Sequence, residues 1–152
     1  MPSEEQHELV MGPNCIKVVV KGTPVPKKRP GWTRHGRAYN GSAHLEHQFA
    51  EVCRLQFAEV SEVLPYFGVN ETMRMNVVFH FPVKGSSYDA RVRSLTAKGD
   101  IDNFVKFVQD ALQGTFYPND KNIVTIYAEK IGYTHAEVGW VEVEIIREQL
   151  VF

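Results

Sequence analysis

Only two cysteines, Cys15 and Cys53, occur in 152 residues. They form no Cys-x-x-Cys pair and offer no disulfide framework, which suits a reducing compartment and leaves both as small core residues rather than reactive thiols. Long apolar runs are also missing: the longest is a few residues, far short of the roughly 20 a membrane-spanning helix requires. The start, MPSEEQHELVMGPN, lacks the basic flank and apolar centre of a signal peptide, and residues 1–14 read as a flexible N-terminal segment. A soluble, intracellular protein, cytoplasmic and without a membrane partner, is the expectation. No glycine-rich phosphate loop of the Walker or dinucleotide type is present, and no Ser-His-Asp arrangement can be supported from spacing. Charge of either sign is in little excess, the net being −1, which by itself speaks against a nucleic-acid binder of the uniformly basic kind.

The distribution of charge says something different. No acid lies between Glu8 and Glu46, whereas Lys17, Lys21, Lys27, Lys28, Arg29, Arg34 and Arg37 do, seven of the 17 basic residues. Trp32 and Tyr39 interleave with the last of these. A solvated loop would show such a run, but the interleaved aromatics favour a surface for polyanions. Each aromatic has two readings that the sequence leaves level, stacking on an unpaired base or anchoring the loop on the core.

At 43% hydrophobic and 23% charged residues, the chain has the composition of one compact globular domain. CIKVVVKG is a β-branched run, and TPVPKKRPG after it holds three prolines that exclude regular structure, so a strand then a loop is expected. From Ser42 to Val63 apolar residues recur at Leu45, Phe49, Val52, Leu55 or Phe57, and Val60. That period is helical. Ser42 is the candidate cap with Glu46 near the capping-partner position, and Pro65 ends the helix. MRMNVVFHF reads as a strand stopped by Pro82, and residues 83–99 as a long, mobile, basic loop. Next comes the clearest pattern in the chain: Ile101, Phe104, Val105, Val108, Ala111 and Leu112 form one helical stripe, with Gly114 as a left-handed stop. Strands around NIVTIYAEKIGY and GWVEVEIIRE complete the order. The fold class is therefore α+β, a mixed β-sheet with two main helices packed on it.

Three acids cluster around the second helix. Asp100 and Asp102 flank Ile101 at its start, Lys106 stands one turn beyond Asp102, and Asp120 lies in a turn before the next strand. Each alone has an ordinary reading, as a helix cap or a turn residue. A cap uses one side chain, however, and three carboxylates repel unless a cation sits among them. Hard divalent ions take this oxygen chemistry. Asp110 suits a salt bridge with Lys106, or a surface contact, better than metal ligation. His44 and His47 have a spacing compatible with metal on a helix but lack a third close ligand, so surface or packing roles are favoured.

KGDIDNFVKFVQDALQG followed by FYPNDKNIV resembles the signature of RusA-type Holliday-junction resolvases: D-x-D-N, a lysine four residues after the second Asp, D-A-L, then an aromatic and acidic turn before a strand. PVPKKRPGWTRHGRAYN is similar to the family's basic segment, and the likeness covers roughly residues 15–147 within a nuclease domain of 15–152. The resemblance implies an endodeoxyribonuclease that cuts four-way DNA junctions as a homodimer with Mg²⁺, for which Mn²⁺ is a possible substitute. By the same resemblance Asp100, Asp102 and Asp120 are the metal-binding acids and Lys106 the essential lysine. Lys27, Lys28, Arg29, Arg34 and Arg37 are the candidate DNA contacts. One departure stands out, since this chain has Asn119 where family members often carry a second acid. Two alternatives stay open: a non-catalytic DNA-binding module of the same fold, and a metal-dependent nuclease acting on flaps or single strands.

Overall fold

The β-branched run CIKVVVK forms a strand in a computed structural model of the protein, which describes residues 8–11, 15–58, 67–84, 91–92, 99–134 and 136–148. In chain order the elements are β1 (Glu8–Met11), β2 (Cys15–Lys21), β3 (Gly31–Trp32), β4 (Ala38–Tyr39), α1 (Ala43–Ala58), β5 (Met73–Pro82) and β6 (Arg91–Val92). They continue with α2 (Ile101–Leu112), a 3₁₀ turn (Asp120–Asn122), β7 (Ile123–Tyr133) and β8 (Trp140–Arg147). Six strands make one sheet in the order β1-β2-β8-β5-β7-β6, while β3 and β4 pair separately as a short ribbon. β5 and β7 run parallel and the other neighbours antiparallel. The protein is thus one α+β domain with a mixed sheet. A parallel pair needs a crossover, and α2 lies in the connection between β5 and β7.

Alternation decides which side of the sheet is apolar. Ile16, Val18 and Val20 on β2, Val141, Val143 and Ile145 on β8, and Met75, Val77, Phe79 and Phe81 on β5 are buried in one cluster with Phe49 and Cys53 of α1 and the stripe of α2. Each such side chain contributes about 1.5–3 kcal/mol on burial. On the opposite side of the same strands, Lys17 pairs in register with Glu144, and Asn76 donates to Glu144 at 2.9 Å.

Several sequence expectations need correction. α1 buries Phe49 and Cys53, but Leu55 is 61% exposed because it points away from the sheet. Ser42 is no helix cap: its hydroxyl accepts from the Lys28 backbone N–H at 2.7 Å, and Glu46 is engaged by Lys27 and Asn40. The expected extension of the helix to Val63 falls outside the described residues. In α2 Phe107 joins the buried stripe, whereas Ile101, at the open first turn, is 36% exposed. Gly114 has a φ of 83° and closes the helix as expected. β1, the ribbon and β6 add pairing that was not foreseen; β6 falls in the segment read as a loop, and Lys27 through Pro30 run without regular structure as the prolines require.

Candidate active site

α2 carries its acids and its lysine on the side away from the core, where the apolar stripe forces them. At its start Asp100 has extended backbone geometry and makes no side-chain capping bond. Asp102 is exposed in the first turn. Neither carboxylate has a partner among the described residues, so the capping role open to Asp100 is not taken.

Lys106 lies four residues from both Asp102 and Asp110. An acid N-terminal to the lysine is the better partner in an isolated helix, yet the ammonium sits 3.0 Å from Asp110 Oδ1 and 3.0 Å from Asp120 Oδ2. Two carboxylates on one side outweigh the single one on the other. Hydrogen bonds from Lys106 to Asp110 and Asp120 hold its pKa above the usual lysine value. Asp102 is thereby left without its helical counter-ion.

Asp120 reaches this place through contacts that only the folded chain reveals. Buried Tyr117 donates its hydroxyl to the Gln109 carbonyl at 2.7 Å, fixing the segment after α2 against the helix. Burial, with the negative charges of Asp120 and Asp110, pushes that phenol well above its ordinary pKa. Asn119 caps the 3₁₀ turn by accepting from the Lys121 N–H, and buried Asn122 donates to the carbonyls of Val69 and Glu71 at 2.8 and 2.9 Å. Asn119, where a second acid was expected by resemblance, thus has a structural task at the head of the turn.

Asp110 also meets Lys27, at 2.9 Å, and Lys27 in turn is hydrogen-bonded to Glu46. The Lys27 side chain is only 18% exposed. Burial pulls its ammonium towards neutrality, but Glu46 and Asp110 prevail and its pKa stands above the usual value. The structure therefore separates Lys27 from Lys28, Arg29, Arg34 and Arg37, which are all exposed. Its backbone N–H donates to the Asn103 carbonyl at 2.8 Å, tying the basic segment to the first turn of α2. Asp120, Lys106, Asp110, Lys27 and Glu46 form one continuous chain of alternating charge. Spacing on α2 allowed the Lys106–Asp110 link as one of two roles for Asp110; nothing local foretold Lys27 and Glu46.

Among the described residues no group of three or more His, Cys, Asp or Glu side chains converges to hold a metal ion. Asp120 is brought to Lys106, while Asp100 and Asp102 stand bare at the head of the helix. The donor chemistry nevertheless fits a hard divalent cation: Asp100 and Asp102 offer uncommitted carboxylate oxygens, and Asp120 is already balanced by a cationic group that an ion can replace. His44 contacts Gln48 at 3.3 Å on an exposed face of α1, without further ligands. No helix among the described residues is long and apolar enough to cross a membrane.

Comparison with known proteins bears on this arrangement. The family model described as Endodeoxyribonuclease RusA matches residues 21–146. The uncharacterized protein YqaN of Bacillus subtilis strain 168 is 29% identical over 146 residues, spanning 89% of this chain and 97% of that protein. Among solved structures, the protein Atu1372 of Agrobacterium tumefaciens, of unknown function, aligns with 99% of this chain and 87% of its own at 12% identity and a TM-score of 0.40, too distant to support any inference.

Proposed function

Because the chain belongs to the RusA endodeoxyribonuclease family, we propose that it is a divalent-cation-dependent nuclease that resolves Holliday junctions by paired phosphodiester hydrolysis. The observation that carries this reading is the asymmetry along α2: two bare carboxylates at its start, and on the same helix a lysine that holds Asp120 at 3.0 Å.

Asp100 and Asp102 would hold Mg²⁺, or Mn²⁺ in its place, with Asp120 as the third carboxylate. Such an ion, when bound, polarises a phosphoryl oxygen and acidifies a water. Lys106, released from Asp120, would present its ammonium to negative charge developing on the phosphate. Asp110, 3.0 Å from the same ammonium, would keep it in place were Asp120 to hold the ion. Lys28, Arg29, Arg34 and Arg37, all exposed, would contact DNA phosphates, and Lys27 fastens their segment to α2. The protein would act inside the cell, in the cytoplasm, on branched DNA.

Junction symmetry supports a homodimer. Two strands are cut at symmetric positions, and one acid cluster per chain serves one cut at a time. A two-fold dimer presents two clusters related as the junction's own strands are related.

The test uses a four-way junction labelled on one strand, incubated with the protein in Mg²⁺ or in chelator. Symmetric incision that needs the ion, and that Asp102→Asn abolishes, supports the resolvase. Junction binding without products under any divalent ion would instead identify a non-catalytic module, and equal cutting of flaps or single strands a nuclease of other specificity. Sedimentation at micromolar concentration, with and without junction, checks the dimer; a strict monomer in both defeats the symmetric form of the reading.

A further inference from the structure

We propose that Trp32 is a stacking site for a nucleobase with one face unstacked, held out on a clamped cationic ribbon, and that it recognises the branch of a DNA substrate. The inference rests on the branched-DNA reading above.

The ribbon is small but closed. Gly31 pairs with Tyr39 and Trp32 with Ala38, and the turn is drawn together by the Thr33 N–H to Arg37 carbonyl bond at 2.7 Å and the Arg37 N–H to Thr33 Oγ1 bond at 3.0 Å. Each aromatic faces a small residue. The Tyr39 ring occupies the space over Gly31, where an added Cβ would lie 2.2 Å from the ring, so Tyr39 braces the ribbon from within. Trp32, across from Ala38, is 70% exposed and stacks on no described ring. The sequence left both aromatics with two readings, stacking or anchoring the loop on the core; Tyr39, itself 53% exposed, packs on Gly31 of the ribbon rather than on the core, and Trp32 is left with an open face.

The two feet of the ribbon are clamped together. Lys28 N–H donates to Ser42 Oγ at 2.7 Å, Ser42 N–H to Asn40 Oδ1 at 2.9 Å, and Asn40 Nδ2 to Glu46 at 3.1 Å, beside the Lys27 contacts with Glu46 and Asp110. Buried Ser42 and Glu46 thus fasten both strands to the start of α1, and Lys27 fastens them to α2 one residue from Asp102. A ribbon so held keeps its indole in place before substrate arrives, which lowers the ordering cost of binding.

Chemistry identifies the ligand. Lys28 and Arg29 precede the strand that carries Trp32, Arg34 and Arg37 lie in the turn between the ribbon's two strands, all four are exposed, and no carboxylate of the described residues pairs with them. A flat aromatic surface among free cations matches a polyanion that also presents flat rings. Bases inside a duplex are stacked on both faces and cannot take a third partner; a base pair at an opened branch has one face free. The neighbourhood of the bare acids makes a branch the useful place for such a contact.

The test compares Trp32→Ala and Trp32→Phe in the full chain, using a four-way junction and a linear duplex of equal length, with 2-aminopurine at the branch. Trp32 is exposed, so unchanged melting and far-ultraviolet dichroism verify the fold. Trp32→Ala is expected to weaken junction binding by roughly 5- to 150-fold with an unchanged salt slope, to leave duplex binding nearly unaltered, and to abolish quenching of the 2-aminopurine. Trp32→Phe should retain most of both. Equal losses on junction and duplex, or no loss at all, overturn the stacking site while leaving the nuclease reading standing. A wild-type protein that binds the junction no better than the duplex overturns the stacking site and the branched-DNA preference it rests on, while ion-dependent incision still decides the nuclease reading.

Discussion

The acids around α2 divide into two groups with opposite treatment. At the head of the helix, Asp100 and Asp102 are exposed and have no described cationic partner. Farther along, Asp110 and Asp120 share Lys106, and Asp110 and Glu46 share Lys27, in a partly buried network. The second group is balanced within the chain and joins α1, α2, the basic segment and the turn before β7. The first group is balanced by nothing among the described residues, although a lysine stands at the right helical spacing to serve Asp102. Paired acids therefore position parts of the fold, and the bare ones are those that the proposed function assigns to a cation. Substitutions in the two groups should fail in different ways.

The largest effect is expected at the bare pair. Asp100→Asn and Asp102→Asn should each remove junction cleavage below detection, leave the melting temperature unchanged and keep junction binding intact or tighter, since a repulsion with phosphate is also removed. Normal cutting by either variant would erase the contrast at that residue. Lys106→Ala comes next. Loss of an ammonium placed for the developing charge should lower the cleavage rate roughly 10²–10³-fold, read in single-turnover assays with Mg²⁺ saturating.

The basic segment sharpens the comparison further. Replacing Lys28, Arg29, Arg34 and Arg37 together by Ala should flatten the dependence of log Kd on log salt by up to about 0.9 for each phosphate no longer neutralised, with little change in urea unfolding. An unaltered slope places the DNA elsewhere. Glu46→Gln should do the reverse. It leaves Lys27 partly buried with one carboxylate fewer and should destabilise the protein by about 1–3 kcal/mol, measured by urea unfolding; a variant as stable as the parent would mean the clamp is ornamental.

The smallest expected effect belongs to the far side of the sheet. Buried His80 stacks on Trp140 at 4.1 Å, and its Nε2 lies 3.4 Å from Glu142, too poorly aligned to satisfy the ring nitrogen fully. The neighbouring imidazole, then the Trp140 indole N–H, hold the Glu142 carboxyl at about 2 against the opposing pull of burial. A carboxyl with a depressed folded pKa binds more protons when unfolded, so its contribution is present above the ordinary value of 4.5 and lost as pH falls towards 2. Glu142→Gln should make acid unfolding less steep in that window. An identical acid profile would show that the contact is not felt.

Much of the scaffold was legible because local periodicity carries it. The stripe of α2 required one apolar face, so its polar residues had to point outward, and Gly114 could end the helix without strain. The alternation in GWVEVEIIRE is enough to place Val141, Val143 and Ile145 together on one face, the face that the core occupies. Of the two residues the periodicity offered at that turn of α1, Leu55 or Phe57, Leu55 is exposed, since a helical stripe fixes a direction only relative to its neighbours and Cys53 lies closer to the sheet; the Phe57 side chain lies outside the described ones. The acids and their number also followed from sequence; Asp120 was expected beside the helix entry and instead lies at Lys106, and the Lys106–Asp110 link, which spans a single helical turn, was one of two roles the spacing left to Asp110.

Only the tertiary structure decided who pairs with whom beyond that turn. Lys106 chose Asp120, 14 residues away, over Asp102 on its own face. Lys27, indistinguishable in sequence from its neighbour Lys28, turned inward to Glu46, 19 residues away, while Lys28 stayed in solvent. Trp32 remained outside while Trp140, the same residue type, was 4% exposed against His80. Helical and strand spacings repeat within a few residues and are written in the chain. Coulombic and stacking partners depend on distances in space, which are set by where α1, α2 and the ribbon are brought together on the sheet.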